Sequence, residues 1–229
     1  MRLDKYLSNA GEGSRKDVKS IMKKGRVTVG QKVIKDPKFE VDGSEEIRLD
    51  DKKVVLENGI YIMLNKPKGV ISSTEEGPTR TVIDLIDHPQ SKDLFPVGRL
   101  DKDTTGLLFI TDDGKLAHEL LSPRNRIDKT YIADLKDDVS ESDISMLEQG
   151  IPLKDFTTAS AVAVKISSRK VKLTITEGKF HQVKRMFQYL GNEVVDLERI
   201  EFASLGLDDG LRRGEYRRLT ESEIDILKK

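Results

Sequence analysis

The sequence predicts an α+β protein in two parts: a small basic α/β module, then a larger domain of strands broken by short helices. Three observations carry that expectation. At 229 residues the chain is long enough to bury a sizeable core in more than one domain. Charge is unevenly placed: Lys plus Arg and Asp plus Glu both number 40, yet residues 1–35 hold ten basic residues against three acids, so that end carries +7 and the remainder −7. Finally, apolar runs of strand length ("YIMLN", "LLFIT") alternate with amphipathic stretches of helix length ("KLAHELLS", "FHQVKRMFQYLG").

Taken in order, residues 2–9 predict a helix with Leu3, Tyr6 and Leu7 on one face. "GEGS" is a turn in which Ser14 caps a second helix over 15–24, with Val18, Ile21 and Met22 inward and Lys16, Lys19 and Lys23 on the outer face. "RVTVGQKVI" predicts a hairpin about Gly30-Gln31. Arg2, Lys5, Arg15, Lys16, Lys19, Lys23 and Arg26 are the candidates to meet phosphates, since a basic module on a near-neutral body suits a polyanion, most economically nucleic acid. The acid-rich "DPKFEVDGSEEIRLDD" closes this module, and "KKVVLENG" reads as the linker.

Beyond it, a buried strand over 60–64 runs into a Lys-Pro-Lys-Gly loop, and "TVIDLIDHP" reads as a short helix ending at Pro89. "LLFIT" is a strand, "DDG" a turn, and "KLAHELLS" a helix stopped before Pro123. "KTYIADL", "ASAVAVKI" and "KVKLTIT" follow as strands, then "FHQVKRMFQYLG" as a helix with Val183, Met186, Phe187 and Leu190 inward and Gly191 at its end. No apolar run approaches the roughly 18 residues that cross a membrane. The first residues lack the apolar core of a secretory signal, so a cytoplasmic protein with no membrane partner is expected. With no cysteine and three histidines, neither disulfides nor a structural zinc site is expected.

"GRLDKDTTGLLFITDDG", residues 98–114, poses the functional question: Asp101 stands directly before a strand that must be buried, where a carboxylate is costly unless paired or used. Three readings compete. Asp101, Asp103, Thr105, Gly106 and Asp112 fit the spacing of an EF-hand calcium loop, but its flanks are not helices. A capped turn accounts for Asp-x-x-Thr before Gly, though not for Arg99 and Lys102 bracketing the acid. A catalytic acid needs a cation to hold it, and "EGKFHQVKRM" supplies Lys184 and Arg185 on a helix; on spacing alone these are as well read as an exposed pair. Asp103 is expected as a solvated turn acid, and His88, His118 and His181 as ordinary surface or helix histidines, with contact to RNA the lesser reading of His181.

Two resemblances sharpen this reading. "RLDKYLSNAGEGSRKDVKSIMKKGRVTVGQKVI" resembles the S4 RNA-binding domain in its Arg-Leu-Asp-x-x-Leu opening, its Ser-Arg before the second helix and its Gly-x-Val-x-Val hairpin. "NKPKG" (65–69), "GRLDKDTTGLLFITDDG", "KTY" (129–131) and "EGKFHQVKRM" (177–186), in that order, are similar to the RsuA family of pseudouridine synthases. The resemblance implies an S4-like module over 1–57 and a catalytic domain over 58–229 built on a mixed, mostly antiparallel sheet. It implies Asp101 as the catalytic residue, Tyr131 as the active-site aromatic and Lys184 as the cation paired with Asp101, where many relatives carry Arg. Arg99, Arg124, Arg126, Lys129 and Arg185 are the further candidates to bind RNA.

The implied reaction isomerises uridine to pseudouridine without a cofactor, on a base that must leave the helical stack to be reached. "LLSPRNRIDKTY" resembles the small-subunit members more than the large-subunit ones, which implies 16S rRNA, free or in a small-subunit assembly intermediate, with uridine 516 as target and a monomer as the working form. A 23S rRNA synthase of the same family is the alternative. A non-catalytic S4-bearing RNA-binding factor is another; it would keep the basic N-terminus but has no need of Asp101, Tyr131 and Lys184.

Overall fold

The computed structural model describes residues 1–56, 59–75 and 77–228. Contacts divide the chain into two compact units, Met1–Gly59 with Asp87–Asp93, and Ile60–Ile86 with Leu94–Lys229. The boundary expected between residues 57 and 58 lies outside the described residues.

In the first unit, α1 (Leu3–Asn9) and α2 (Arg15–Lys23) pack Leu3, Leu7, Val18 and Met22 onto one face of a small sheet. Ser14 and Asp17 form the reciprocal cap that starts α2. The sheet is antiparallel in the order β2-β1-β3-β4, from β1 (Val27–Val29), β2 (Lys32–Val33), β3 (Ile47–Leu49) and β4 (Lys52–Val54). The stretch expected as a linker therefore contributes a strand. Its turn is made by Asp50 and Asp51, both at positive φ, rather than by the Asn-Gly or Asp-Gly pair that advertises a tight hairpin.

The second unit is a nine-stranded sheet with the path β13-β5-β7-β11-β8-β10-β9. Its strands are β5 (Tyr61–Lys66), β6 (Phe95–Val97), β7 (Thr105–Thr111), β8 (Lys129–Leu135), β9 (Val162–Ser167), β10 (Lys170–Ile175), β11 (Val194–Phe202), β12 (Leu205–Gly206) and β13 (Tyr216–Arg218). β6 pairs with β7 and β12 with β11; among the described strands β7–β11 is the one parallel pair, so the sheet is mixed and mostly antiparallel.

Every residue of β7 is buried, because a central strand is covered on both faces. Leu108 and Ile110 join the larger core with α5 (Gln182–Tyr189), whose Val183, Met186 and Phe187 face inward. Leu107 and Phe109 join the opposite core with α3 (Gly114–Leu121) and α6 (Glu221–Leu227). α4 (Glu141–Gln149) adds Ile144 and Leu147 to the larger core. The helix expected over "TVIDLIDHP" is only one 3-10 turn at Ile83–Leu85. Thr81 and Asp84 bond each other's backbone amides, and Ile86 is already extended, three residues before Pro89.

Candidate active site

Asp101 sits on the loop between β6 and β7, and that loop is held from below by the "NKPKG" segment. Lys66, at the end of β5, has no exposed surface, and its Nζ donates to the carbonyl oxygens of Asp101 and Thr104, each at 2.9 Å, and of Pro67 at 3.1 Å. Burial pulls its pKa down to about 8, with the Asp103 and Asp101 charges opposing. Gly69 N donates to Lys102 O at 2.8 Å, and Ser72 Oγ accepts from Leu100 N and donates to Leu100 O. The backbone under Asp101 is thereby fixed on both sides.

Above it lies a cluster of charge. Lys184 Nζ, on the first turn of α5, is 3.0 Å from Asp101 Oδ2 and 2.6 Å from Asp103 Oδ1. The Asp101 and Lys184 side chains are 25% and 22% exposed, against 69% for Asp103. Burial works against the Lys184 charge, but hydrogen bonds to Asp103 and Asp101 outweigh it and hold its pKa above the usual lysine value. Burial likewise works against the Asp103 charge, and the Lys184 hydrogen bond and charge, with smaller contributions, together more than offset it, leaving that carboxyl below its usual range. Asp103 is the largely exposed turn acid expected and, in addition, a second partner of Lys184.

His181, read from sequence as an ordinary histidine, stands just before α5 at φ 49°, with Nε2 3.5 Å from Asp101 Oδ1. Its ring stacks on Phe180, which is 76% exposed. The sequence offers contact to RNA only as the lesser reading of His181 and marks no role for Phe180; the local signal is an aromatic pair immediately ahead of the helix. Tyr131, on β8, is 8% exposed, and its hydroxyl makes no hydrogen bond among the described residues. It lines one cleft together with Asp101, Thr104, His181 and Lys184. Asp112 lies at the opposite end of β7 and accepts from Ile60 N at 2.7 Å, so the EF-hand spacing does not converge on a cation.

The expected RNA-binding residues divide. Arg15, Lys16, Lys19 and Lys23 on α2 are exposed and make no ion pair among the described residues. Arg2 and Arg26 instead pair with Asp4 and Asp50 beside them, and Lys5 Nζ lies 3.6 Å from Asp93. Arg99, Arg124 and Arg126 are exposed around a cavity of about 520 Å³ next to the Asp101 cleft, and Tyr131 walls both. Lys129 is not the surface lysine expected: its Nζ turns inward onto Ile127 O at 2.7 Å, and burial, followed by the charge of Arg199, lowers its pKa to about 8. Arg185 faces away from Asp101, pairing with Asp155 over the Phe156 ring. One residue along a helix turns a side chain by about 100°, which sends Lys184 and Arg185 to different partners.

A model of the RNA pseudouridylate synthase family matches residues 60–189, and an S4 domain model matches residues 1–47. The chain belongs to the RNA pseudouridylate synthase family. It is 45% identical to an uncharacterized RNA pseudouridine synthase of Bacillus subtilis, over 99% of this chain and 98% of that one. It is 41% identical to ribosomal small subunit pseudouridine synthase A of Vibrio cholerae, over 98% of each. A solved pseudouridylate synthase is 37% identical and superimposes with a TM-score of 0.72 over 99% of each chain. The enzyme is an isomerase acting on uridine in RNA, carrying an S4 domain ahead of the synthase domain. Among the described residues no helix is long and apolar enough to cross a membrane.

Proposed function

We propose that this enzyme converts a uridine of 16S ribosomal RNA to pseudouridine, with Asp101 acting at the sugar, Lys184 holding Asp101, and Tyr131 packing against the extruded base. One observation carries the reading: a carboxylate fixed from below by Lys66 and from the side by Lys184 opens on the same cleft as a buried tyrosine with a free hydroxyl. Isomerisation breaks the C1′–N1 bond and joins C1′ to C5; C5 loses its proton and N1 gains one, so the atoms balance with no cofactor. An ionised carboxylate serves this chemistry as nucleophile at C1′ or as base on the sugar. Lys184 orients Asp101 through the ion pair, and Phe180 offers an exposed face on which an unpaired base can stack.

The choice of the small-subunit RNA is supported by whole-length similarity to small-subunit synthases at about 40% identity, and uridine 516 is the site proposed within it. We assign residues 1–57 to the RNA-anchoring domain and 58–229 to catalysis, in a monomer working in the cytoplasm on free 16S RNA or an assembly intermediate. The test is tritium release from 5-³H-uridine in 16S and 23S fragments run in parallel. Release from a 16S fragment containing uridine 516 is expected. Release from 23S alone moves the target to the large subunit, and binding without release from either favours a non-catalytic factor.

A further inference from the structure

The cavity beside the Asp101 cleft contains a charge arrangement that the proposed chemistry does not use. Arg199, on β11, is 2% exposed. Its Nε donates to Leu107 O at 2.8 Å, while its Nη2 is buried with no partner among the described residues. The guanidinium lies 4.8 Å from the centre of the Phe202 ring, and Lys129 Nζ lies 5.5 Å from the same centre. Two cations therefore share one aromatic ring, and neither makes an ion pair among the described residues. Glu177 also lines the cavity, but its Oε2 accepts from Ala159 N and Gln182 Nε2, both at 3.0 Å. Asp128 opposes the Lys129 charge only from a distance, with no ion pair among the described residues; like charges gathered with so little compensation are costly, and a bound anion offsets that cost.

We propose that Arg199 and Lys129 form a seat for one backbone phosphate of the RNA, at a linkage next to the reacting uridine. Arg99, Arg124 and Arg126 stand exposed around the cavity, so an entering polyanion meets positive charge before it reaches the seat. The cavity shares Tyr131 and Arg99 with the Asp101 cleft, which puts a phosphate here close to the nucleotide whose base packs on Tyr131. Its volume, about 520 Å³, suits a nucleotide-sized group. Lys129, whose pKa is lowered toward 8 without an anion, becomes a firm cation once one arrives. The inference rests on the proposed function in taking RNA as the source of the phosphate.

Single methylphosphonate linkages, which remove the charge and keep the chain, are walked along a short RNA containing the target uridine. In the wild-type enzyme one linkage beside the target raises KM roughly tenfold or more with kcat nearly unchanged. In Arg199→Met and in Lys129→Met the same linkage costs about twofold or less, because its partner is already gone. Equal sensitivity in wild type and both variants overturns the seat. Inorganic phosphate provides an arm independent of the RNA target: it raises the Tm of the wild type and of neither variant, each first matched to wild type by circular dichroism. Phosphate that stabilises all three alike overturns the seat as well. If wild type releases no tritium from any RNA, the target assignment fails and the phosphate arm alone decides the seat.

Discussion

Lys66 shows how much of the proposed active site can hang on a side chain with no exposed surface. Its ammonium has three N–H donors and lies among the carbonyls of Pro67, Asp101 and Thr104, with Lys102 O further off at 3.4 Å. Lys66→Met leaves Asp101 O and Thr104 O without that donor, at about 1–3 kcal/mol for each unsatisfied group. Thermal melts should show a lower Tm, and kcat should fall more than KM rises, because it is the loop under Asp101 that loosens.

The pH dependence has a definite sign. The pKa in the folded state is about 8, below the 10.5 of a free lysine, so between those values the unfolded chain binds more protons and this group alone makes stability rise with pH. Activity should move the other way, since the neutral amine has only two hydrogens to donate. A loss of tritium release above about pH 8 that persists unchanged in Lys66→Met would disprove this account. At Asp101 itself, Asp101→Asn should abolish release and leave RNA affinity within about twofold, because the amide keeps the shape and loses the reactive charge. Lys184→Met should lower kcat roughly tenfold or more, each tenfold being about 1.4 kcal/mol of barrier, and Lys184→Arg should restore much of it.

At the scale of elements, the junction of β7 with β11 places the loop that carries Asp101. Gly106 has φ +99°, and a Cβ there would lie 2.2 Å from Arg199 O, so only glycine lets the two parallel strands meet. Gly106→Ala should destabilise the enzyme by on the order of 3 kcal/mol or more, read from denaturant unfolding with an unchanged m-value.

The strand after Gly106 was legible because "LLFIT" is apolar on both faces, and α2 because Ser14 and the Lys spacing mark its start and its outer face. β11 was not legible. Asp196, Glu198, Arg199 and Glu201 interrupt its apolar pattern, although the strand lies inside the sheet. Its partner in the parallel pairing is set by a close approach that no local pattern announces. α4 and α6 were passed over for a related reason: each is short and rich in acids, and each is fixed by a Ser or Thr cap and tertiary packing more than by a long apolar stripe. The grouping of Asp101, Tyr131 and Lys184 at the proposed site was legible where motif and chemistry coincided. The places of His181 and Arg199 were not, because their surroundings are made by residues distant in sequence.

Across the whole molecule, the neutral total charge conceals a division of labour. The second unit concentrates cations around a cleft and a cavity, where Lys184 is matched by carboxylates and Arg199 is not. The first unit presents cations on an open helix face, where Lys16, Lys19 and Lys23 recur at the spacing of helical neighbours and face water. Such charges carry little sequence information and contribute through the release of counterions from RNA, so their signature is a salt dependence and not a change in chemistry. Replacing Lys16, Lys19 and Lys23 together by Gln should therefore leave kcat at saturating RNA unchanged and reduce affinity most at low salt. The slope of log affinity against log salt should shrink by roughly two to three, near one for each phosphate that no longer meets a cation. Capping of α2 by Ser14 and Asp17 is untouched by these substitutions, and the inward face of Val18 and Met22 is retained, so the module should stay folded. An unchanged slope in the triple variant would mean that α2 does not lie on the RNA, and that the anchoring charge is the second unit's own.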